Sequence, residues 1–372
     1  MLDILKEIIN YLHNPTVAFT LLTVGFPFVF PPTDWFDKKH RQLHLDKLWT
    51  NRGGFMMLLI LIGYFILGFT DKNAVHIFTK PDNVPIIIMM FTVVFFLWLS
   101  MNQAYRNDER LDRGEKPDEY NDPNDKILVW PDLVYSELIS LILMTVFLIL
   151  WSVFIKAPLE EPANPAMTPN PSKAPWYFLG LQEMLVYFDP WIAGILFPIL
   201  IIVGLSAIPY MDINLKSSGF YSFKSRRTAI FAFLYGWLVL WIFLIIVGTI
   251  LRGPNWNFFG PYEYWDPHKV EALTNINLSE YVWVKAWNQG LPSNPIKREF
   301  LGFILVIFYF VVPPFLLAKT KLKDVFNQLG PVRYSFLMFF TLSMLSLPIK
   351  MYLRWIFNLK YLVSIPEWFF NI

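Results

Sequence analysis

Long apolar stretches dominate this 372-residue chain and constrain its fold more than any other feature. A helix that crosses a lipid bilayer needs about 20 predominantly apolar residues. Nearly uncharged runs of suitable length lie at 54–70, 85–101, 133–155, 190–209, 228–250 and 299–318. A shorter run at 334–349 precedes Lys350 and Arg354, whose side chains can reach the interface. An eighth candidate, 15–32, is made doubtful as a span by Pro27, Pro31 and Pro32. The sequence predicts an all-α, polytopic transmembrane helical bundle with seven or eight spans.

Composition supports this interpretation and excludes several classes of function. Hydrophobic residues make up 55% of the chain and charged residues 16%, against about 25% charged in a soluble domain. There is no cysteine, which excludes disulfides, iron–sulfur ligation, covalent haem attachment and thiol catalysis in this chain. The net charge of +2 gives no reason to expect nucleic acid as a partner.

Loop charge predicts which segments share a side of the membrane. Positive residues concentrate in cytoplasmic loops. Four alternate loops carry five, five, four and four Lys plus Arg: 33–53, 102–130, 210–227 and 319–333. The intervening segments 71–84 and 156–188 carry two each, and the 48-residue segment 251–298 carries five. We therefore expect 156–188 and 251–298 to face away from the cytoplasm.

These features divide the chain into three parts. Residues 1–130 form an N-terminal extension with two or three membrane segments, beginning with a short amphipathic helix on the membrane surface. Residues 131–252 hold three well-formed spans and the most informative motifs. Residues 253–372 hold a Trp-rich outer loop and two further membrane segments.

Histidine placement bears on cofactors, because b-type haem is held by histidines on membrane helices. All five histidines fall outside the predicted spans: His13, His40, His44, His76 and His268. We expect them to be solvated residues near the interface. The sequence thus predicts no haem ligands, no metal site and no covalently bound cofactor.

A proline-rich segment, "KAPLEEPANPAMTPNPSKAPWYFLGLQEMLVYFDPW" at 156–191, stands before the fourth span. Six prolines within 18 residues predict a stiff, extended outer loop. Ser172 or a neighbour can then cap a short helix that has Pro175 in its first turn and runs to about Tyr187. Such a helix is too short to span, but it can form one wall of a pocket for an amphiphile.

On that helix Trp176 and Glu183 are seven residues apart and would share a face. Gln182 and Glu183 are its amide and its carboxylate. One interpretation is a generic interfacial helix with an aromatic residue at the membrane surface and a solvated acid. The other is a site that binds and deprotonates a ligand.

The motifs resemble a known family. "PDLVYSE", "EPANPAMTP", "PWYF" and "GLSAIPYMD" occur in the order and spacing of the C-terminal part of cytochrome b. The resemblance is closest to subunit IV of cytochrome bf-type complexes and to the split cytochrome b of bacterial bc-type menaquinol reductases. It covers about 131–252, which makes this part a subunit IV-like three-helix unit.

The resemblance implies a haem-free membrane subunit of a bc-type quinol:cytochrome c oxidoreductase, active in respiratory electron transfer and proton translocation. Quinol would be the substrate, bound by Pro175, Trp176, Tyr177 and Phe178. Haem b and an iron–sulfur cluster would lie on partners. Those partners are a haem-b-bearing cytochrome b N-terminal-type subunit, a Rieske iron–sulfur protein and a c-type cytochrome, with lipid, in a dimeric complex in an energy-coupling membrane.

One departure from the family affects the chemistry. The family pattern is Pro-Glu-Trp-Tyr, whose glutamate accepts a proton from quinol, whereas this chain reads Ala174-Pro175-Trp176-Tyr177. Each proton released by quinol needs a base within reach. We expect Glu183 to replace the missing acid and Tyr177 to orient the quinol oxygen. Glu160, Glu161 or a carboxylate from a partner are alternatives.

Three other interpretations remain open. Pro366-Glu367-Trp368 looks like the family motif but lies near the end of the sequence, and we expect an amphipathic anchor there. The chain could instead be a transporter or permease, although its spans carry few charges and show no paired broken helices. It could also be a purely structural anchor subunit of a redox complex that has lost its quinol site.

Overall fold

The computed structural model describes residues 2–120, 128–155, 162, 164–166, 168–214, 219–271 and 274–372. The helices are α1 (Leu2–Leu12), α2 (Pro15–Val29), α3 (Asp34–Gln42), α4 (Asn51–Gly68), α5 (Lys72–Thr79), α6 (Val84–Asp112), α7 (Val134–Phe154), α8 (Leu179–Met184), α9 (Phe197–Met211), α10 (Arg227–Leu234), α11 (Phe243–Ile246), α12 (Pro295–Arg298), α13 (Phe300–Lys319) and α14 (Lys323–Phe357). An antiparallel hairpin, β1 (Ser364–Ile365) and β2 (Phe370–Asn371), follows.

The described residues contain seven helical stretches long and apolar enough to cross a membrane. They are Asn51–Gly68, Val84–Asp112, Val129–Phe154, Ile192–Met211, Lys224–Leu251, Phe300–Lys319 and Lys323–Phe357. Each coincides with a predicted span, and the all-α polytopic fold is confirmed. The eighth candidate is α2, which with α1 forms a pair bent by 73°. Asn14 lies at the bend, where its side chain accepts a hydrogen bond from the Thr16 amide at 3.1 Å.

The core is centred on the span Lys224–Leu251, half of whose apolar window is buried inside the protein. Helix α2 packs along it: the ring of Phe19 lies 5.5 Å from that of Phe243, and Phe26 lies 5.5 Å from Tyr235. Aromatic pairs at this separation add to the free energy of burial. The segment 15–32, which the prolines made doubtful as a span, is therefore a packed part of the bundle.

At one end of the bundle, Asp108 links α6 to the loop that precedes α10. It lies beyond the apolar part of this 29-residue helix. Its buried carboxylate accepts hydrogen bonds from the Ser222 hydroxyl at 2.6 Å and from the amides of Phe223 at 3.1 Å and Lys224 at 2.9 Å. At the same end Arg227 pairs with Asp34 at 2.5 Å. Three loops predicted to share a side therefore contact one another.

The opposite end brings together segments that the loop charges assign to the other side. Lys6 of α1 pairs with Asp71 at 2.8 Å, and the Asn10 side chain accepts from the Tyr262 amide at 2.9 Å. Helix α1 thus lies against both the α4–α5 connection and the loop after residue 251. This grouping agrees with the charge count, and the assignment of this end to the non-cytoplasmic side stays a prediction.

The expectation that all histidines are solvated is wrong for His40, whose exposed fraction is 0%. Its Nδ1 donates to the Phe28 carbonyl at 2.7 Å, and its Nε2 accepts from the Tyr105 hydroxyl at 3.0 Å. The reason is that α3 folds back between α2 and α6, so the imidazole replaces solvent with two protein partners. Burial also lowers the pKa of His40, which favours the neutral ring.

The span Val129–Phe154, which contains α7, differs from the other described spans in that none of its apolar window is buried inside the protein. Among the described residues α7 packs chiefly against the turn at Val129–Leu133 that precedes it. An apolar helix needs no protein cover in a bilayer, because lipid tails solvate it as well as leucine side chains would.

We expect Asp108→Ala to destabilise the bundle. The substitution leaves two amides and one hydroxyl without their acceptor in a buried position, at about 1–3 kcal/mol for each group. Thermal unfolding of the detergent-solubilised protein should start at a clearly lower temperature. Asp82→Ala is the matched control, because Asp82 is exposed and makes only a 3.4 Å ion pair with Lys80. Equal midpoints for the two variants would contradict this role for Asp108.

Candidate functional site

The "PWYF" motif forms a single 3₁₀ turn, Trp176–Phe178, which continues directly into α8. Pro175 is extended and precedes the first helical residue. The helical turns end near Tyr187, as predicted, since the Tyr187 amide donates to the Met184 carbonyl at 3.0 Å. The start lies later than the predicted cap at Ser172, because the amide of Ala174 is bonded to a side chain instead of turning into a helix.

That side chain is Gln182, which clamps the extended residues onto α8. Its Oε1 accepts from the Ala174 amide at 2.8 Å, and its Nε2 donates to the Ser172 carbonyl at 2.8 Å. One amide group thereby fixes the backbone on both sides of Lys173.

Glu183 forms a buried ion pair with Arg252, which stands at the end of the long central span. The Arg252 Nε donates to Oε2 at 2.9 Å, and Nη2 donates to Oε1 at 2.6 Å. The two side chains are 0% and 8% exposed. The guanidinium also donates to the Trp256 carbonyl at 2.6 Å and lies 3.7 Å from the centroid of the Phe258 ring. This two-point geometry is the strong form of an arginine–carboxylate pair.

Tyr187 completes the surroundings of the carboxylate. Its hydroxyl donates to Oε1 of Glu183 at 3.4 Å. Burial, and after it the nearby charge of Glu183, raises the pKa of Tyr187 well above its usual range. The hydroxyl therefore stays protonated and acts as a donor.

The predicted site residues divide between two environments. Tyr177 and Phe178 are each 49% exposed, and Pro175 is exposed as well. Glu183 points inward, where its described partners are Arg252 and Tyr187 rather than Tyr177. The aromatic turn thus offers a surface to a ligand, while the carboxylate lies behind it.

Lys173 was not singled out by the sequence interpretation. Its Nζ donates to the Thr249 carbonyl at 2.8 Å and lies 5.0 Å from the centroid of the Trp265 ring. Burial, reinforced by the charges of Lys80 and Arg252 and opposed by Glu183, lowers the pKa of Lys173 to about 7. A lysine directly beside "PWYF" and an arginine at the end of an uncharged span were the signals that could have indicated this cluster.

The loop and the span also approach each other closely at two glycines. A Cβ added at Gly248 would lie 3.2 Å from the Leu179 carbonyl oxygen, and one added at Gly180 would lie 3.2 Å from Cγ1 of Ile245. Asn170 and Asn255 exchange two hydrogen bonds, at 2.9 and 2.6 Å. The segment 168–184 is therefore fixed along its length against the end of the span.

The histidines do not fit a b-type haem. Both ring nitrogens of His40 are occupied, and His13 uses Nδ1 on the Ile9 carbonyl at 2.8 Å and Nε2 on the Tyr64 hydroxyl at 3.3 Å. The other three lie outside the spans. Within the described residues no group of three or more His, Cys, Asp or Glu is placed to hold a metal ion.

The alternative carboxylates are placed differently. Glu160 and Glu161 lie outside the described residues. Glu367 sits in a 3₁₀ turn, Pro366–Trp368, and both of its oxygens accept from Arg298, at 3.0 and 2.9 Å. Its contacts with Arg298 hold it beside the start of α13.

Comparison with known proteins identifies the same segment. Residues 162–262 match the family model described as cytochrome b(C-terminal)/b6/petD. Cytochrome b from Cyanidium caldarium is 32% identical over 104 residues, which cover 26% of this chain and 27% of that protein. The chain thus spans about a quarter of the length of this curated relative. No solved structure matches. The resemblance inferred from the motifs is confirmed over this segment.

We expect Arg252→Met to destabilise the protein strongly. It leaves the Glu183 carboxylate buried without a counter-charge, which costs about 3–5 kcal/mol. The double variant Glu183→Leu/Arg252→Met removes both charges and should recover much of that loss. Thermal unfolding of the solubilised single and double variants tests this, and a double variant no more stable than Arg252→Met would refute it.

Proposed function

We propose that this chain is a haem-free membrane subunit of a bc-type quinol:cytochrome c oxidoreductase and that it forms part of the outer, quinol-oxidation site. The observation that carries the proposal is the location of the family match: residues 162–262 contain both the aromatic turn at Trp176–Phe178 and the buried pair Glu183–Arg252. The segment that resembles cytochrome b thus contains an exposed aromatic surface close to ionisable groups.

The partners follow from the same resemblance. A haem-b-bearing cytochrome b N-terminal-type subunit, a Rieske iron–sulfur protein and a c-type cytochrome would carry the electrons in a dimeric complex. This assignment agrees with histidines that do not fit a haem. The complex would lie in an energy-coupling membrane, with 156–188 and 251–298 on the non-cytoplasmic side.

The chain's own share of the chemistry is to bind, orient and deprotonate quinol. Pro175, Trp176 and Phe178 would contact the quinol ring, and the exposed Tyr177 hydroxyl would orient its oxygen. Glu183 is proposed as a proton acceptor. Arg252 donates to both of its oxygens, so the proton must be accepted on a lone pair that these hydrogen bonds leave free.

The same ion pair supports a second candidate function, a purely structural anchor. In that case Glu183 serves only to attach α8 to the span, and the quinol site lies wholly on partners. The two functions differ in what happens when the charge of Glu183 is removed while its shape is kept.

The assembly is tested by a difference spectrum of the gently solubilised complex, recorded with and without added quinol. We expect b-type haem to co-purify with this chain and to be reduced by quinol, because the redox centres lie on partners. Absence of haem under every mild condition would overturn the proposal and favour a transporter.

The role of Glu183 is tested by Glu183→Gln in the assembled complex. Glutamine keeps the shape and one acceptor for Arg252 but takes up no proton at neutral pH. We expect quinol turnover per haem to fall about 10²-fold, the usual contribution of a positioned base, and its pH profile to change. Glu263→Gln, an exposed carboxylate of the outer loop, should leave both unchanged. If Glu183→Gln behaves like this control, the anchor function is the better account.

A further inference from the structure

The C-terminal end of α8 is bound by a residue from a distant part of the sequence. Lys360, which follows α14, donates from Nζ to the Leu185 carbonyl at 2.9 Å and to the Val186 carbonyl at 3.0 Å. We propose that Lys360 is a positioning residue of the quinol-oxidation site: it holds the backbone at Tyr187, and thereby the hydroxyl that donates to the Glu183 carboxylate. The inference rests on the proposed function and adds a residue from outside the segment that matches the family.

The end of α8 needs partners that the helix itself does not supply. The carbonyl groups at a helix C-terminus have no acceptor role within the helix, and those of Leu185 and Val186 directly follow α8. A positive charge is also favourable at this end of a helix. Burial, reinforced by the charge of Arg354 and opposed by Asp189, lowers the pKa of Lys360 to about 8. The ammonium therefore predominates at neutral pH and supplies both the donors and the charge.

The backbone of Lys360 is fixed independently of α8. Its amide donates to the Ile276 carbonyl at 2.9 Å, and its carbonyl accepts from the Nζ of Lys350 at 2.7 Å. Two residues earlier, Asn358 ends α14 in the left-handed conformation, with φ 53°. The side chain of Lys360 therefore reaches α8 from a point that other elements hold in place.

Tyr187 is the site residue on which this contact acts most directly. The Val186 carbonyl bound by Lys360 belongs to the same peptide group as the Tyr187 amide, which donates to the Met184 carbonyl at 3.0 Å. The Tyr187 side chain is buried, and the centroid of its ring lies 5.9 Å from that of Trp355 on α14. Helix α14 and the residues after it thus hold both the main chain and the ring of Tyr187.

The contact between Tyr187 and Glu183 is sensitive to position. At 3.4 Å the hydroxyl oxygen is far from Oε1 for an O–H···O bond, whose usual limit is about 3.0 Å. A small displacement of the Tyr187 backbone would therefore remove this donor from the carboxylate. A hydrogen bond to a carboxylate favours its ionised form, which is the form that accepts a proton from quinol.

The proposed quinol-binding surface at Trp176–Phe178 is held separately. The Gln182 clamp fixes Ser172 and Ala174, which precede this turn. The contacts of Lys360 lie at the opposite end of α8. Loss of Lys360 should thus impair proton acceptance and leave quinol binding unchanged.

Lys360→Met in the assembled complex is the first test, because methionine keeps the length of the side chain and removes its charge and donors. We expect kcat for quinol oxidation per haem to fall about 5-fold, the usual contribution of one hydrogen bond, with KM unchanged. Lys360→Arg keeps the charge and several donors and should recover most of the loss. A general loosening of the fold would instead lower the amount of assembled complex and leave kcat per haem unchanged.

Tyr187→Phe tests the route through the hydroxyl. Phenylalanine keeps the ring packed on Trp355 and should lower kcat by about the same factor of 5. Because Lys360 acts through that hydroxyl, the double variant Tyr187→Phe/Lys360→Met should be no slower than Tyr187→Phe alone. Losses that multiply in the double variant would overturn the inference.

Lys285→Met is the matched control. Lys285 is exposed in the outer loop and lies 4.3 Å from the centroid of the Tyr281 ring, much as Lys360 lies 5.4 Å from that of Tyr361. Its kcat and KM should equal those of the unmodified complex.

The outcomes separate the inference from the proposed function. If the unmodified complex oxidises quinol and Lys360→Met keeps its kcat per haem, the inference is overturned while the proposed function stands. Should Lys360→Met fail to assemble, an unchanged kcat in Tyr187→Phe overturns the inference equally. If the unmodified complex does not oxidise quinol, both fail.

Discussion

The Glu183–Arg252 ion pair is the interaction on which the candidate site depends. Helix α8 has six residues, and a helix of that length is unstable in isolation because nucleation costs more than so few hydrogen bonds return. Its position is set by what it contacts, and the strongest of these contacts joins a buried carboxylate to an arginine 69 residues away in sequence. The position of the aromatic turn at Trp176–Phe178 depends on the same pair, because the turn continues directly into α8.

The spans and the family segment were predictable, and the partner of Glu183 was not. Hydropathy identifies spans well because a single segment that crosses a bilayer must be helical: only a helix satisfies all of its backbone hydrogen bonds within the segment. The motifs "EPANPAMTP" and "PWYF" are each continuous in the sequence, so the resemblance to the family could be recognised without knowing any contact between distant residues. Arg252 stands out as a charge at the end of an uncharged span, but nothing local links it to Glu183, which lies 69 residues away in sequence. His40 was misjudged for the same reason, since the contacts that bury it come from Phe28 and Tyr105, which lie on other helices.

The seven-residue spacing of Trp176 and Glu183 shows a second limit of sequence interpretation. That spacing places two residues on one face only if every residue between them is α-helical. Here the first turn is 3₁₀, with three residues per turn, so the shared-face argument does not apply. Tyr177 and Glu183, expected to act together on quinol, are six residues apart, a spacing that separates them even on a regular α-helix; Tyr177 is exposed and Glu183 is buried. Gln182, which the sequence marked only as an amide, determines where the helix can begin.

The close approach at Gly180 and Gly248 has a consequence for how this site can vary. At Gly248 the neighbouring atom is the Leu179 carbonyl oxygen, a main-chain atom that no change of rotamer can move, whereas at Gly180 it belongs to the side chain of Ile245. The distance between the start of α8 and the central span is therefore set by main-chain atoms at Gly248. Substitutions in the exposed aromatic turn can reshape its surface without changing this distance, whereas a side chain at Gly248 would push α8, and Glu183 with it, away from the span.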